Sequence, residues 1–151
     1  MSHWPDQHGK FWEIDEQGFI LNDASLSKVP KRYRHSVEMT VEAYRAYVND
    51  ILYGVYIRGT VPRGLAILYV SDLDTFAVVN ESEAVDDMQW ADSEEEAILS
   101  ACPELTGVQF EQWPLADVVN PTENLELPFV VKTQSICVFG HDLSPELPNF
   151  N

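Results

Sequence analysis

Residues 53–79 read "YGVYIRGTVPRGLAILYVSDLDTFAVV", and the fold turns on how they are read. Tyr53 to Arg58 alternates and is rich in β-formers, which predicts a strand. Gly59 and Thr60 follow at once, then Pro62, Arg63 and Gly64. A glycine leaving a strand lets the backbone come close to a ligand. A hydroxyl residue beside it can cap a short helix whose free N–H groups attract phosphate. Arg58 and Arg63 are two of only nine basic residues in the chain. Further on, Asp72 and Asp74 stand at the mouth of the apolar run Phe76-Ala77-Val78-Val79. A strand over 72–79 turns positions i and i+2 to one face, so the two carboxylates lie close together. Like charges that close raise one another's pKa and cost stability. A divalent cation reverses the cost, because it accepts several carboxylates and keeps positions open for water and phosphate oxygens. On the pair alone a plainer reading stays open, with Ser71-Asp72 a turn and Asp74 a solvated strand end.

The whole order is strand, Gly-Thr, basic turn, short connection, and a strand opening with Asp-x-Asp. It resembles the nucleotidyltransferase superfamily, the DNA polymerase beta-like fold of the minimal bacterial nucleotidyltransferases. That pattern is a hydrophobic strand, Gly-Ser, a short spacer and Asp-x-Asp on the next strand. The likeness covers residues 53–79 and includes Arg63-Gly64 after the Gly-Thr and Ser71 before the first Asp. Thr60 stands for the usual Ser and keeps the hydroxyl. The resemblance implies an α/β (α+β) fold, a mixed β-sheet flanked by helices. It also implies Mg²⁺ or Mn²⁺ on Asp72 and Asp74, and ATP or another NTP held by Gly59, Thr60, Arg63, Arg58 and Ser71.

The family carries a third carboxylate on a later strand. The candidate strand here is Gly107 to Trp113, "GVQFEQW". Alternation puts Gln109 and Glu111 on one face. The family's acid falls nearest Gln109, which is not an acid, and Glu111 is the substitute one pleat on. Glu111 as an ordinary exposed strand residue is the alternative. Ile136 to Leu143, "ICVFGHDL", resembles the segment where a helix of bacterial members ends in a hydrophobic-aromatic-Gly turn.

The chain of 151 residues, 45% apolar, suits one domain with its own core. No apolar run approaches the ~18 residues of a membrane span. The N-terminal "MSHWPDQHGK" has no apolar signal core. Cys102 and Cys137 lack metal-site spacing and read as buried free thiols of a reducing compartment, so the expected location is cytoplasmic. A net charge of −16 argues against non-specific nucleic-acid binding, which depends on Lys and Arg neutralising phosphates. It leaves room for a small anionic ligand, because a metal ion and a local Arg pair overcome the global field at short range.

Residues 1–10 read as loose and polar, with His3 and His8 in a mobile terminus. Phe11 to Asp23 predicts a hairpin turning near Asp15–Gly18, and Lys28 to Arg34, "KVPKRYR", a solvated basic loop or an anion groove. We divide the chain into an N-terminal extension, 1–35, and a nucleotidyltransferase-like domain, 36–151. Val37, Val41, Tyr44, Val48 and Ile51 fall at helical spacing, predicting a helix over 36–52 packed on the sheet. The acidic stretch from Asn80 to Glu96 reads as an exposed loop, then a helix capped by Asp92 or Ser93. A strand over 105–113, a helical turn over 114–119 and, on the family resemblance, a helix over about 124–137 complete the expectation.

The activity this implies is transfer of a nucleoside monophosphate, first of all AMP from ATP, to an acceptor hydroxyl on a small molecule or a protein. The metal ion neutralises phosphate charge during attack on the α-phosphorus, and Glu111 completes the site or acts as a base. A reading of another class stands beside it. The fold is then catalytically weak or silent, and binds a nucleotide or a protein partner as an antitoxin-like or regulatory module, alone or as a homo-oligomer.

Overall fold

Leu73–Val79 forms the central strand, and every residue of it except Asp74 is buried. An apolar, β-branched run of this kind suits a strand covered on both faces. The computed structural model describes residues 12–81, 87–120 and 125–151. In chain order the elements are α1 (Lys31–Val48), β1 (Leu52–Arg58), β2 (Leu73–Val79), α2 (Ala91–Ala101), β3 (Val108–Gln109), β4 (Gln112–Pro114), α3 (Leu115–Val119), α4 (Glu126–Thr133) and β5 (Ser135–Gly140). Short 3₁₀ turns sit at Leu26–Lys28 and Ser144–Glu146.

The sheet is mixed. β1 pairs antiparallel with β2 on one side and β5 on the other, while β3 and β4 both run parallel to β2. Parallel neighbours need a crossover, and α2 supplies it between β2 and β3. One face of the sheet presents Val55, Ile57, Leu73, Ala77 and Val79 to Tyr33, Val37, Tyr44 and Val48 of α1 and Ile98 of α2. The other presents Tyr56, Phe76 and Val78 to Val118 of α3 and to Val130 and Val131 of α4. The expected class, a mixed sheet flanked by helices, is the one observed, with the 53–58 and 72–79 segments as neighbours.

Several boundaries move. α1 begins at Lys31, five residues ahead of the expected start, and ends at Val48. The basic "KRYR" is therefore its first turn and not a loop. Tyr33, 1% exposed, extends the apolar stripe one turn upstream of Val37, under cover of charged neighbours. α2 begins at Ala91 with no side-chain cap. Asp92 and Ser93 lie inside it, and the Ser93 hydroxyl donates to the Trp90 carbonyl instead. The expected 105–113 strand is two short ones. The expected 124–137 helix stops at Thr133, and Ile136–Gly140 belongs to strand β5, not to a helix end. Its β-branched and aromatic side chains fit the pleat, and pairing with β1 completes the backbone hydrogen bonds. The predicted hairpin is a single antiparallel bridge, Ile14 to Ile20, around a turn in which Asp15 Oδ1 accepts from the Gln17 and Phe19 amides. Residues 1–11, with His3 and His8, and 82–86 of the acidic stretch lie outside the described residues. Neither cysteine is in a disulfide, and Cys102 is buried while Cys137 is half-buried. No helix among the described residues is long and apolar enough to cross a membrane.

Candidate functional site

The site is built where β1 ends and β2 begins. Arg58 is the last residue of β1 and pairs in register with Asp74. Gly59 follows with φ 84°, and a Cβ built on it would lie 3.8 Å from Asp74 Cβ. The left-handed backbone at Gly59 thus brings the Gly-Thr turn against Asp74. No helix follows Thr60: residues 60–64 form turns, closed by Leu65 N–H donating to the Thr60 carbonyl and Gly64 N–H to the Val61 carbonyl. The expected capped helix is absent, and a phosphate here would meet a turn and not a helix N-terminus.

Asp74 shares a face with Tyr56, Phe76 and Val78. Phe76 stacks between Tyr56, 5.0 Å away, and Trp113, 3.8 Å away. The charged row lies beyond this aromatic stack. Arg58 Nε is 3.0 Å from Asp74 Oδ2, and Arg58 Nη2 is 3.9 Å from Glu111 Oε2. The Arg58–Asp74 contact is an ion pair by distance, but its N–H misses the oxygen. Both Arg58 Nε and Asp74 Oδ1 are buried with no hydrogen-bond partner among the described residues. Burial pushes the Asp74 carboxyl above its ordinary value; Arg58 opposes that, while Glu111 and Asp72 add to it.

Gln109, the position nearest which the family's third acid falls, is the residue directly opposite Asp74 on the parallel neighbour. Its amide nitrogen donates to Glu111 Oε1 at 2.8 Å, so the two side chains do share a face. Trp113 Nε1 donates to Glu111 Oε2 at 3.1 Å. Glu111 is thus held by three neighbours and sits one pleat from Asp74. Asp72 is exposed, just ahead of β2.

Two expected ligands of the nucleotide are otherwise engaged. Arg63 Nε is 3.0 Å from Asp23 Oδ2, and Lys28 Nζ is 3.0 Å from Asp23 Oδ1. The Ser71 hydroxyl accepts from the Ile67 amide at 2.8 Å and closes the loop before Asp72. Gly59, Arg63, Asp23, Trp12, Thr133 and Gln134 line a cavity of about 120 Å³. That is too small for a nucleoside, since pockets for ligands of that size run to ~300 Å³ or more. It is large enough for a phosphate group. Two cavities above 500 Å³ lie elsewhere, one beside α1 and one beside Trp90, and neither gathers convergent polar groups with Asp74.

A divalent cation fits this donor set in part. Asp74 Oδ1 is a hard oxygen without a partner, and Asp72 supplies a second carboxylate close enough to act on Asp74. Among the described residues no group of three or more His, Cys, Asp or Glu converges as a cage. Water and ligand oxygens would have to fill the remaining positions.

The residue that sequence reasoning missed is Tyr44. Its hydroxyl meets the Thr75 hydroxyl at 2.9 Å, and Thr75 donates to the Gln109 carbonyl at 2.8 Å. The Tyr44 hydroxyl oxygen accepts from the Glu111 amide at 3.1 Å. It splits β3 from β4 at Phe110-Glu111. In the sequence Tyr44 is one more apolar position of a helical stripe, and nothing local marks it.

No family model matches the chain, and no curated protein does. Among solved structures it is similar to a spectinomycin adenyltransferase from Enterococcus faecialis, determined with ATP and spectinomycin. The TM-score is 0.47 and the identity 16%, over 78% of this chain and 60% of that one. The chain therefore spans less than two thirds of that protein's length.

Proposed function

We propose that this chain is a metal-dependent nucleotidyltransferase domain that transfers AMP from ATP to an acceptor hydroxyl. The observation that carries the reading is Asp74. A half-buried carboxylate with an unpartnered oxygen stands in a central strand that is otherwise buried and carries no other charge, against a left-handed Gly59. Burying such a group costs stability unless something compensates it, and perturbed groups of this kind cluster at functional sites.

In this reading Asp72 and Asp74 hold Mg²⁺ or Mn²⁺. When bound, the ion draws charge from the phosphates. The Gly59-Thr60 turn presents amides and a hydroxyl to the phosphate oxygens, and Arg63, at the mouth of the small cavity, adds a cation. Asp23 must give up part of its hold on Arg63 for that. Ser71 serves by fixing the loop ahead of Asp72. Glu111, fixed by Gln109 and Trp113, takes the proton of the acceptor hydroxyl at a carboxylate oxygen. The acceptor oxygen forms the new bond to the α-phosphorus, the α–β bridging bond breaks, and pyrophosphate leaves.

A second reading rests on a specific observation. Arg58 and Arg63 already face carboxylates, which suits a domain that binds nucleotide or a protein partner without transfer. Isothermal titration with ATP and Mg²⁺, beside Asp72→Ala and Asp74→Ala, tests binding. Heat in the native protein that is lost in both variants is the expected result, and equal heat in all three removes both site and reading. Pyrophosphate release with hydroxyl acceptors then separates transferase from binder.

A further inference from the structure

Arg58 stands between Asp74 and Glu111, against a carboxylate that the proposed cation needs. One guanidinium faces two half-buried carboxylates, at 3.0 and 3.9 Å, with its charge over the Trp113 ring at 5.7 Å. Without it Asp74 and Glu111, with Asp72 beyond, would repel one another. Yet the grip is loose. Arginine commonly binds carboxylate through two parallel, directed N–H bonds; here the Nε contact is bent and Asp74 Oδ1 is left without a partner. Glu111 does not depend on Arg58 for its place, because Gln109 and Trp113 donate to its two oxygens.

We propose that Arg58 is a resident counter-ion of this site, one that yields Asp74 to a divalent cation and turns to the phosphate of the incoming nucleotide. The inference rests on the reading of Asp72 and Asp74 as the cation site. Its second half follows from chain geometry: Arg58 immediately precedes Gly59, so a guanidinium leaving Asp74 is still beside the Gly-Thr turn. The cation alone then competes with Arg58, whereas the cation with its nucleotide is helped by it. The acidic site stays neutralised when empty and admits metal chiefly together with phosphate.

The probes are Mn²⁺ alone and Mn²⁺ with ATP, on the full chain. Free Mn²⁺ is read by electron paramagnetic resonance and ATP binding by calorimetry. Arg58→Gln should bind Mn²⁺ alone about tenfold tighter than the native protein, since a like charge at contact distance is gone. It should bind Mn²⁺–ATP about tenfold more weakly, since a charge-assisted phosphate contact is gone. Arg58→Lys, which keeps the charge, should stay near the native Mn²⁺ affinity. Unchanged or weaker Mn²⁺ binding in Arg58→Gln overturns the proposal, as does undiminished Mn²⁺–ATP binding. If Arg58→Gln is unfolded alone, refolding by millimolar Mn²⁺ supports the proposal and failure to refold overturns it. Asp74→Asn separates the two levels. Mn²⁺ binding unaffected by that change removes the cation site itself and this inference with it. Binding lost in Asp74→Asn but not raised in Arg58→Gln removes the inference alone.

Discussion

The phenolic oxygen of Tyr44 lies between β3 and β4, 3.1 Å from the Glu111 amide nitrogen and 3.2 Å from the Glu111 carbonyl oxygen. The Glu111 carbonyl also accepts from the Ala77 amide at 2.8 Å. A helix side chain therefore replaces part of the ladder and sets where the Glu111 backbone runs, and with it the reach of its carboxylate. Burial pushes the Tyr44 hydroxyl well above its ordinary value, so it stays protonated. Tyr44→Phe keeps the ring contacts with Trp90 and Phe110 but leaves the Glu111 amide unpaired. Unsatisfied buried donors cost about 1–3 kcal/mol, and urea unfolding should show a loss in that range. Thr75→Val should cost less, because the Tyr44 hydroxyl keeps both Glu111 partners.

Asp23 and Asp74 should impose opposite pH dependences on stability. Lys28 and then Arg63 hold the Asp23 carboxyl below its ordinary 3.8, so folding favours its ionised form. That contribution is present above 3.8 and is lost as pH falls through the lower folded value. Asp74 is raised from 3.8 by burial, so the folded state prefers its neutral form. Its ionisation costs stability as pH rises from 3.8 through the raised value. Asp23→Asn should flatten the acid limb of the stability–pH curve, and Asp74→Asn should remove the decline above it. Urea midpoints from acid to neutral pH give both slopes.

Gly59→Ala and Gly140→Ala should differ although both glycines have positive φ. At Gly59 the nearest contact of an added Cβ is Asp74 Cβ at 3.8 Å, which is ordinary. Only the left-handed backbone is penalised, by about 1–2 kcal/mol. At Gly140 the Cβ would lie 2.5 Å from the Tyr53 carbonyl oxygen. Gly140 faces Gly54 across the β1–β5 ladder, so the clash is with backbone that cannot turn aside. Gly140→Ala should be the more damaging change by thermal melting. Gly59→Ala should fold and show its effect in ATP binding.

The two thiols should be silent in the native protein. Cys102 is buried, and burial pushes the half-buried Cys137 thiol up. The thiolate is the reactive form. Titration with a thiol reagent should be slow without denaturant and should reach both sulfurs quickly in urea.

The strand pair that carries the site was legible in the chain. Alternation in "YGVYIR" and the apolar run after Asp74 are local properties, and β1 and β2 form within a residue of where they indicate. The closeness of Gly59 to Asp74 follows from the same stretch, because an antiparallel pair returns its ends to one another. The α1 stripe was visible from Val37 to Val48; it missed Tyr33, whose charged neighbours hide a periodicity that burial reveals, and ran on to Ile51, which lies in the turn before β1. Position 109 was marked in the chain only as the place nearest which the family's third acid falls; that Gln109 lies opposite Asp74 on a parallel strand was decided by the sheet. What neighbours across the fold decide was not legible. Ile136–Gly140 is apolar at a density that fits helix or strand, and only the free edge of β1 makes it β5. Arg58 and Arg63 read alike as basic residues flanking a Gly-Thr turn. The sheet sets Arg58 between Asp74 and Glu111, and the N-terminal segment sets Arg63 against Asp23. Tyr44 and Glu111 are 67 residues apart. A hydroxyl that holds open a sheet at that separation leaves no mark in either local pattern, because its partners are backbone atoms that every residue has.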